Sequence, residues 1–334
     1  MTSSPSIGVR MAGVGSAVPD RILANADFEK MMDTSDEWIR QRTGIRERRV
    51  VAQDKGEGTI SLSVEALSKA LDDAGMVAKD LDLIILASVT TTMTCPSGAC
   101  IVSQQLGAEP AAAFDLVAAC SGFVYASNVA DSLIRSGRHK AVGVIGCDTM
   151  STVMDYDDRS VSILFGDAAG AMVLTADEDP NRGCIYQRLH ADGNGWHSLY
   201  MPRKEVDVVD GAAGANIKLG NLRMNGREIY KFAVSKFTEL LKESLAQCDL
   251  SVEDIRQYIC HQSNARIIES AVSKLNLPED RVYVNIDRFG NSSAGSVGLC
   301  LDQLWQADKI DAGDLIMLIA FGGGMTWASG IWRV

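Results

Sequence analysis

The sequence predicts a layered α/β fold built in two similar halves, on three observations. Strands and helices alternate along the chain in two successive series, each closing with consecutive strands. Leu81 to Val89 is a continuous apolar run, the sign of a strand buried on both faces. A short internal parallel joins the halves: Val117-Ala-Ala-Cys120-Ser-Gly precedes one helix and Phe289-Gly-Asn291-Ser-Ser-Ala precedes another.

In the first series, Gly8 to Val18 reads as a strand closed by Pro19-Asp20, and Asn25 to Met32 as a short helix. Ser35-Asp-Glu-Trp38-Ile is a capped helix start, and Arg42-Thr-Gly ends that helix with a basic turn and a glycine. A tryptophan with two arginines nearby can hold a nucleotide, indole on base and arginine on phosphate; half-buried packing explains the same tryptophan. Thr59 to Ala74 is an amphipathic helix with Ile60, Val64, Leu67 and Leu71 on one face. Thr90 to Ser97 is a loop carrying Cys95-Pro96, and Ser97 to Leu106 is helical.

Phe114 to Val117 is an apolar run of strand length. From Gly122 a helical period begins, with Phe123, Ala126, Ala130, Leu133 and Ile134 at steps of three and four, until Arg135-Ser-Gly137 stops it. Cys120 is therefore expected where a buried strand turns into a buried helix, where free N–H groups and the helix dipole favour a thiolate. An inert core cysteine is the competing reading. A strand at Ala141 to Cys147, a turn at Asp155 to Arg159, and Phe165-Gly-Asp-Ala-Ala-Gly170 leading into a strand at Ala171 to Leu174 complete the series.

Thr175 to Gly183 is polar and marks the boundary, giving halves 1–176 and 184–334. Beyond it, Cys184 to His190 reads as a strand and Asp192 to Met224 as an irregular, glycine-rich lid or loop. Asn225 to Gln247 is a long amphipathic helix, Gln257 to Cys260 a strand ending at His261, and Ala265 to Leu275 a helix. Val282 to Ile286 reads as a strand, Ser296 to Ala307 as a helix, and Leu315 to Ala320 as a buried strand. A turn at Phe321-Gly-Gly-Gly324 leads into the last strand, Thr326 to Arg333.

Composition narrows the function. The chain has 334 residues, 46% hydrophobic and 22% charged, ordinary for a soluble globular protein with a large core. No apolar stretch approaches the roughly 18 residues a membrane helix needs, and the N-terminus lacks the basic start and apolar run of a signal peptide. A cytoplasmic protein is expected. Eight cysteines without a C-x-x-C pair form neither a disulfide framework nor a zinc pattern, and four histidines leave little for a metal site. A net charge of −11 argues against nucleic acid or an anionic membrane as main partner.

Cys120, His261 and Asn291 share a placement: each follows an expected buried strand and precedes a helix, where sites form in layered α/β folds. A cysteine sulfur can attack an acyl thioester to give an acyl-enzyme. A neutral histidine and an asparagine amide can donate hydrogen bonds to the carbonyl of a second thioester. If that substrate is malonyl, they stabilise the enolate left when carbon dioxide departs. The glycines at 322 to 324 offer backbone N–H groups free of side chains for the first oxyanion.

Together these stretches resemble the thiolase superfamily, and within it the β-ketoacyl-acyl-carrier-protein synthase III group. Asp36-Glu-Trp-Ile with Arg42-Thr-Gly-Ile, the Cys120 segment, Phe165-Gly-Asp-Ala-Ala-Gly, His261-Gln-Ser-Asn264, Gly290-Asn291-Ser-Ser-Ala and Phe321-Gly-Gly-Gly-Met-Thr-Trp327 occur in order over nearly the whole chain. The resemblance implies a thiolase-like fold, two pseudo-symmetric halves in a five-layer α-β-α-β-α arrangement, working as a homodimer. It implies decarboxylative condensation of an acyl-CoA with malonyl-acyl carrier protein, with coenzyme A thioesters as substrates and no further cofactor.

By the same resemblance Cys120 is the nucleophile, and His261 and Asn291 promote decarboxylation. The N–H groups of Cys120 and Gly323 form the oxyanion hole, with Phe321 packed beside the cysteine. Trp38 and Arg159 sandwich the adenine of coenzyme A, Arg42 meets its phosphates, and Gly226 and Asn264 hold the pantetheine arm. Lys231, Arg266 and Lys274, with Arg227, lie on two helices near the entrance and offer a positive face to an acidic carrier.

Three departures bear on the acyl substrate. Gly298 stands where the family usually has proline, Ser263 where it has alanine, and Cys95 where a bulky aromatic residue often lines the partner subunit's acyl pocket. Other readings fit less well. A thiolase would need a second cysteine where Ala320 stands, and a two-histidine condensing enzyme a histidine where Asn291 stands. A polyketide starter enzyme or acyltransferase is the nearer alternative. An inactive carrier-binding subunit sits poorly with all three site residues present.

Overall fold

Alternating burial along two central strands explains the architecture. The computed structural model describes residues 7–209 and 218–334. Residues 1–6, within the stretch weighed as a signal peptide, and 210–217, within the expected lid, lie outside the described residues. The first series comprises β1 (Gly8–Ala17), β2 (Ile22–Ala24), α1 (Asn25–Met31), α2 (Asp36–Thr43), β3 (Glu47–Arg49) and α3 (Thr59–Ala74). It continues with β4 (Leu83–Ala87), α4 (Gly98–Leu106), β5 (Ala112–Leu116), α5 (Gly122–Arg135), β6 (Ala141–Thr149), α6 (Arg159–Ser162) and β7 (Asp167–Asp177). The second comprises β8 (Gly183–Ala191), β9 (Leu199–Tyr200), β10 (Arg223–Met224), α7 (Gly226–Gln247), β11 (Gln257–Cys260), α8 (Ala265–Leu275), α9 (Ile286–Phe289), α10 (Gly295–Gln306), β12 (Leu315–Gly322) and β13 (Thr326–Arg333).

The first sheet has the order β1-β7-β6-β4-β5 and the second β11-β12-β13-β8. β1 runs antiparallel to β7 and β7 to β6, while β6, β4 and β5 are parallel. Likewise β8 is antiparallel to β13 and β13 to β12, while β12 and β11 are parallel. The four strands of the second sheet thus repeat the order and directions of β1, β7, β6 and β4 in the first.

Period-two alternation then stacks the layers. Leu83, Ile85 and Ala87 of β4 join the central core with α5 and α10, whereas Ile84 and Leu86 face α3 and α4. In β12, Ile316, Leu318 and Ala320 join that central core, whereas Met317, Ile319 and Phe321 pack on α7 and α8. The result is helix, sheet, helix, sheet, helix: the five-layer thiolase-like arrangement. Close backbone approach at the central layer explains Gly298. A Cβ there would stand 2.8 Å from the Cα of Gly170, so α10 can cross β7 only without one.

Two expected strands differ. The run before Cys120 is not buried: β5 is the edge strand of its sheet, with Phe114 38% and Val117 76% exposed. Val282 to Ile286 forms no strand; Val282 makes one isolated parallel bridge to Tyr258, and Val284 is exposed. This segment lies beside β11 as β5 lies beside β4, but its backbone is held by a side chain instead of a ladder. Gln262 donates from Nε2 to the Tyr283 carbonyl (3.2 Å) and accepts from the Asn285 N–H (3.1 Å). Apolar alternation cannot distinguish such a strap from a strand.

Candidate active site

Cys120 occupies a single 3-10 turn, Ala119–Ser121, between β5 and α5. Ala119 takes a left-handed φ of 48°, a strained conformation for a residue with a Cβ, and this sets the sharp angle at which the cysteine enters the interior. Cys120 is 6% exposed, and the Ser293 hydroxyl donates to its Sγ at 3.4 Å. Burial pushes the thiol up to about 12, and the buried Asp148 carboxylate adds to the rise. The resting residue is therefore a thiol, where the sequence suggested a thiolate: loss of water outweighs the donors around the sulfur.

His261 follows the last residue of β11, and its N–H donates to the Ile319 carbonyl of β12 at 2.8 Å. The ring is buried, with Nδ1 2.7 Å from Ser296 Oγ and the Phe321 ring edge-on at 5.4 Å. Burial pulls its pKa down to about 3, so the imidazole is neutral. Asn291 follows α9 and not a strand, anchored through its N–H to the Leu164 carbonyl at 2.9 Å. Its Oδ1 accepts from the Ser293 N–H at 2.9 Å, which commits the oxygen and leaves the amide's NH2 end for the site.

Cys120, His261, Asn291 and Phe321 line one cavity of about 440 Å³ together with Trp38, Arg42, Arg159, Gly226 and Asn264. Much of the remaining wall is apolar, with Ile163, Phe165, Leu199, Met224, Phe232 and Met325. Asn264 caps α8 and donates from Nδ2 to the Arg42 carbonyl (3.1 Å), tying this wall to α2. The Arg159 guanidinium lies 5.1 Å from the Trp38 ring centre and Arg42 5.3 Å. Arg159 thus already stacks on the indole that the resemblance assigns to the adenine.

Other expected residues lie elsewhere. Gly322, not Gly323, lines the cavity; a Cβ on Gly322 would stand 2.6 Å from the Cys120 nitrogen, so only glycine lets the two backbones meet. Gly323 follows in the turn. Cys95 is exposed and is not part of this chain's cavity wall. Lys231 on α7 and Arg266 and Lys274 on α8 are exposed and lie outside the cavity wall. Ser263 lines the cavity with a buried hydroxyl that has no hydrogen-bond partner among the described residues.

Three contributors were missed: Ser293, Ser296 and Asp148. Asp148, at the end of β6, accepts from Ser88 Oγ (3.0 Å), Thr90 Oγ1 (3.0 Å), and the N–H groups of Val89 (2.8 Å) and Ala294 (3.2 Å). It ties the loop after β4 to the loop after Asn291. A charged residue closing an apolar strand was its signal in the sequence; the serines were hidden in a run that reads simply as a turn.

A cysteine at a strand–helix turn beside a neutral histidine and an asparagine amide, on this double-sheet fold, defines a thiolase-fold condensing enzyme. Family models for 3-oxoacyl-[acyl-carrier-protein] synthase III match residues 114–193, and for its C-terminal part residues 245–334. The β-ketoacyl-[acyl-carrier-protein] synthase III of Caldanaerobacter subterraneus is 44% identical over 97% of each chain, and that of Xanthomonas campestris is 44% identical over 99% of each. The crystal structure of the Aquifex aeolicus 3-oxoacyl-[acyl-carrier-protein] synthase III superposes with a TM-score of 0.90 at 41% identity, covering 98% of this chain and 100% of that one. A priming β-ketosynthase of a polyketide biosynthetic pathway superposes with a TM-score of 0.90 at 33% identity, covering 100% and 98%. The chain belongs to the β-ketoacyl-[acyl-carrier-protein] synthase III family of acyl-transferring condensing enzymes.

Proposed function

We propose that this protein condenses an acyl-CoA primer with malonyl-acyl carrier protein and so begins fatty acid synthesis. The observation that supports this best is the convergence of Cys120, His261 and Asn291 in one largely apolar cavity whose wall also carries Trp38, Arg42 and Arg159. Cys120 sulfur attacks the thioester carbonyl; its proton leaves with the departing coenzyme A sulfur, and an acyl-cysteine remains. The N–H groups of Cys120 and of Gly323, which follows the cavity-lining Gly322 in the turn, hold the oxyanion, with Phe321 beside them. Malonyl thioester then loses carbon dioxide, and the His261 N–H and Asn291 amide hold the enolate oxygen. The enolate carbon attacks the acyl-cysteine carbonyl, releasing the 3-oxoacyl thioester and the sulfur, which regains a proton. Trp38, Arg159 and Arg42 bind the nucleotide end of coenzyme A, and Gly226 and Asn264 its pantetheine arm.

A carrier protein docks against Lys231, Arg266 and Lys274, whose exposed charges suit an acidic partner. A homodimer is the working unit: among the described residues β5 has an unpaired strand edge, with Phe114 and Val117 exposed, which a second copy would cover. Among the described residues no helix is long and apolar enough to cross a membrane; the cytoplasm is the compartment we propose. Priming of a polyketide pathway is the second reading, favoured by the likeness to the priming β-ketosynthase. Intact-protein mass spectrometry tests the proposal. Acyl-CoA alone should add one acyl group to Cys120, and malonyl-acyl carrier protein should then remove it as 3-oxoacyl product; no acyl adduct, or one inert to malonyl carrier, overturns it.

A further inference from the structure

We propose that Ser296 is a positioning residue that sets the tautomer of His261, its hydroxyl donating to Nδ1 so that Nε2 carries the ring proton on the side of the cavity. A serine hydroxyl has one proton to give and two lone pairs to accept with. Around Ser296 Oγ stand His261 Nδ1 at 2.7 Å, the Ser293 carbonyl at 3.0 Å and the Gln262 N–H at 3.4 Å. The Gln262 N–H can only donate, so it takes a lone pair. The single hydroxyl proton then goes to Nδ1 or to the Ser293 carbonyl.

Two observations assign it to Nδ1. The 2.7 Å contact has the length of an O–H donor bond, shorter than the common N–H···O distance. The Ser293 carbonyl already accepts from the Ser296 backbone N–H at 3.3 Å, so it is partnered without the hydroxyl proton. Burial also keeps the ring from holding both protons, so the two nitrogens must differ. Which nitrogen is protonated is set by the bond the other one makes. Ser296 lies on the first turn of α10, 1% exposed, and so presents its hydroxyl from a rigid element.

The inference rests on the proposed function, in which Nε2 must donate to the enolate oxygen. With the opposite tautomer Nε2 would offer a lone pair to a developing negative charge and repel it. The test is histidine-selective ¹⁵N labelling with two-bond ¹H–¹⁵N correlation, the His261 signal being the one lost in His261→Gln. Wild type should show the Nε2–H pattern. Ser296→Ala should lose it and slow malonyl decarboxylation by roughly tenfold or more, while acylation of Cys120 proceeds at its usual rate. Ser296→Thr, which keeps a hydroxyl, should restore both the spectrum and the rate. A wild-type Nδ1–H pattern overturns the proposal. So does a Ser296→Ala protein with the Nε2–H pattern and full decarboxylation. The spectrum needs no substrate, so an Nε2–H enzyme that decarboxylates nothing would support the tautomer and overturn the proposed function.

Discussion

Ser293 Oγ lies 3.4 Å from Cys120 Sγ, across 173 residues of sequence. The donor reaches the sulfur because Ser293 holds a left-handed φ of 50° two residues before α10 begins, while its own N–H clamps Asn291. One residue thus touches both the nucleophile and the group expected to hold the second substrate. Burial drives the thiol up to about 12, and this hydroxyl works against that rise.

Ser293→Ala should therefore slow acylation of Cys120 by about tenfold, the loss of one hydrogen bond to a charged sulfur. Single-turnover acylation followed by mass spectrometry gives the rate. Alkylation of Cys120, mapped by peptide so that exposed Cys95 and Cys100 are counted apart, should climb steadily through neutral pH without a plateau. A plateau near neutral pH would mean a resting thiolate, contrary to the burial.

Removing the three central side chains should separate the half-reactions. Cys120→Ala should form no acyl-enzyme. His261→Ala and Asn291→Ala should still take up an acyl group and lose decarboxylation, by about a hundredfold or more for a lost oxyanion donor. The check is acyl mass on the protein against release of ¹⁴C carbon dioxide from labelled malonyl carrier. Wild-type condensation by Asn291→Ala would remove the donor role from it.

What was legible in the sequence was whatever period and punctuation encode. Leu83 to Ala87 announces a strand buried on both faces, and Gly122 with Phe123, Ala126 and Ala130 announces the helix behind the nucleophile. The cavity wall from Trp38 to Asn291 followed from family motifs. Hidden were contacts made by side chains in place of backbone. Gln262 straps residues 283–285 where alternation suggested a strand, and Ser293 and Ser296 look like any turn-forming serine until α10 is packed on β7. The exposure of β5 was hidden too, because an apolar edge and an apolar centre read alike in a run as short as Phe114 to Val117.

Neutral burial of His261 predicts a pH-dependent stability. Its folded pKa, about 3, lies below the 6.5 of a free histidine, so between these values only the unfolded chain binds the proton. The contribution is complete above pH 6.5 and is lost as pH falls toward 3. Carboxylates titrate in the same range, so the useful quantity is the difference from His261→Gln. Wild type should lose ground to the variant by roughly 1.4 kcal/mol per pH unit between about pH 6 and pH 4, read from urea unfolding. Parallel curves would place a charged, partnered imidazole in the folded protein.

Chain length is the remaining property open to a single substitution. Cys95 is exposed in a loop whose far end is anchored to the edge strand: Ser97 Oγ and the N–H groups of Gly98 and Ala99 donate to the Asp115 carboxylate at 2.9, 2.7 and 2.8 Å. The family resemblance implies that in the proposed dimer residue 95 would help close the second subunit's acyl cavity. Cysteine fills far less space than an aromatic ring, so the floor of such a cavity would lie deeper. Each further methylene buried there contributes roughly 0.8 kcal/mol, and two or three of them shift preference by more than tenfold. The wild-type enzyme should thus prefer primers longer or more branched than acetyl. Cys95→Phe should move that preference back toward acetyl-CoA without changing the rate of malonyl decarboxylation. A panel of acyl-CoAs of rising length gives kcat/KM for each, and a wild type confined to acetyl-CoA and indifferent to Cys95→Phe would sink the idea.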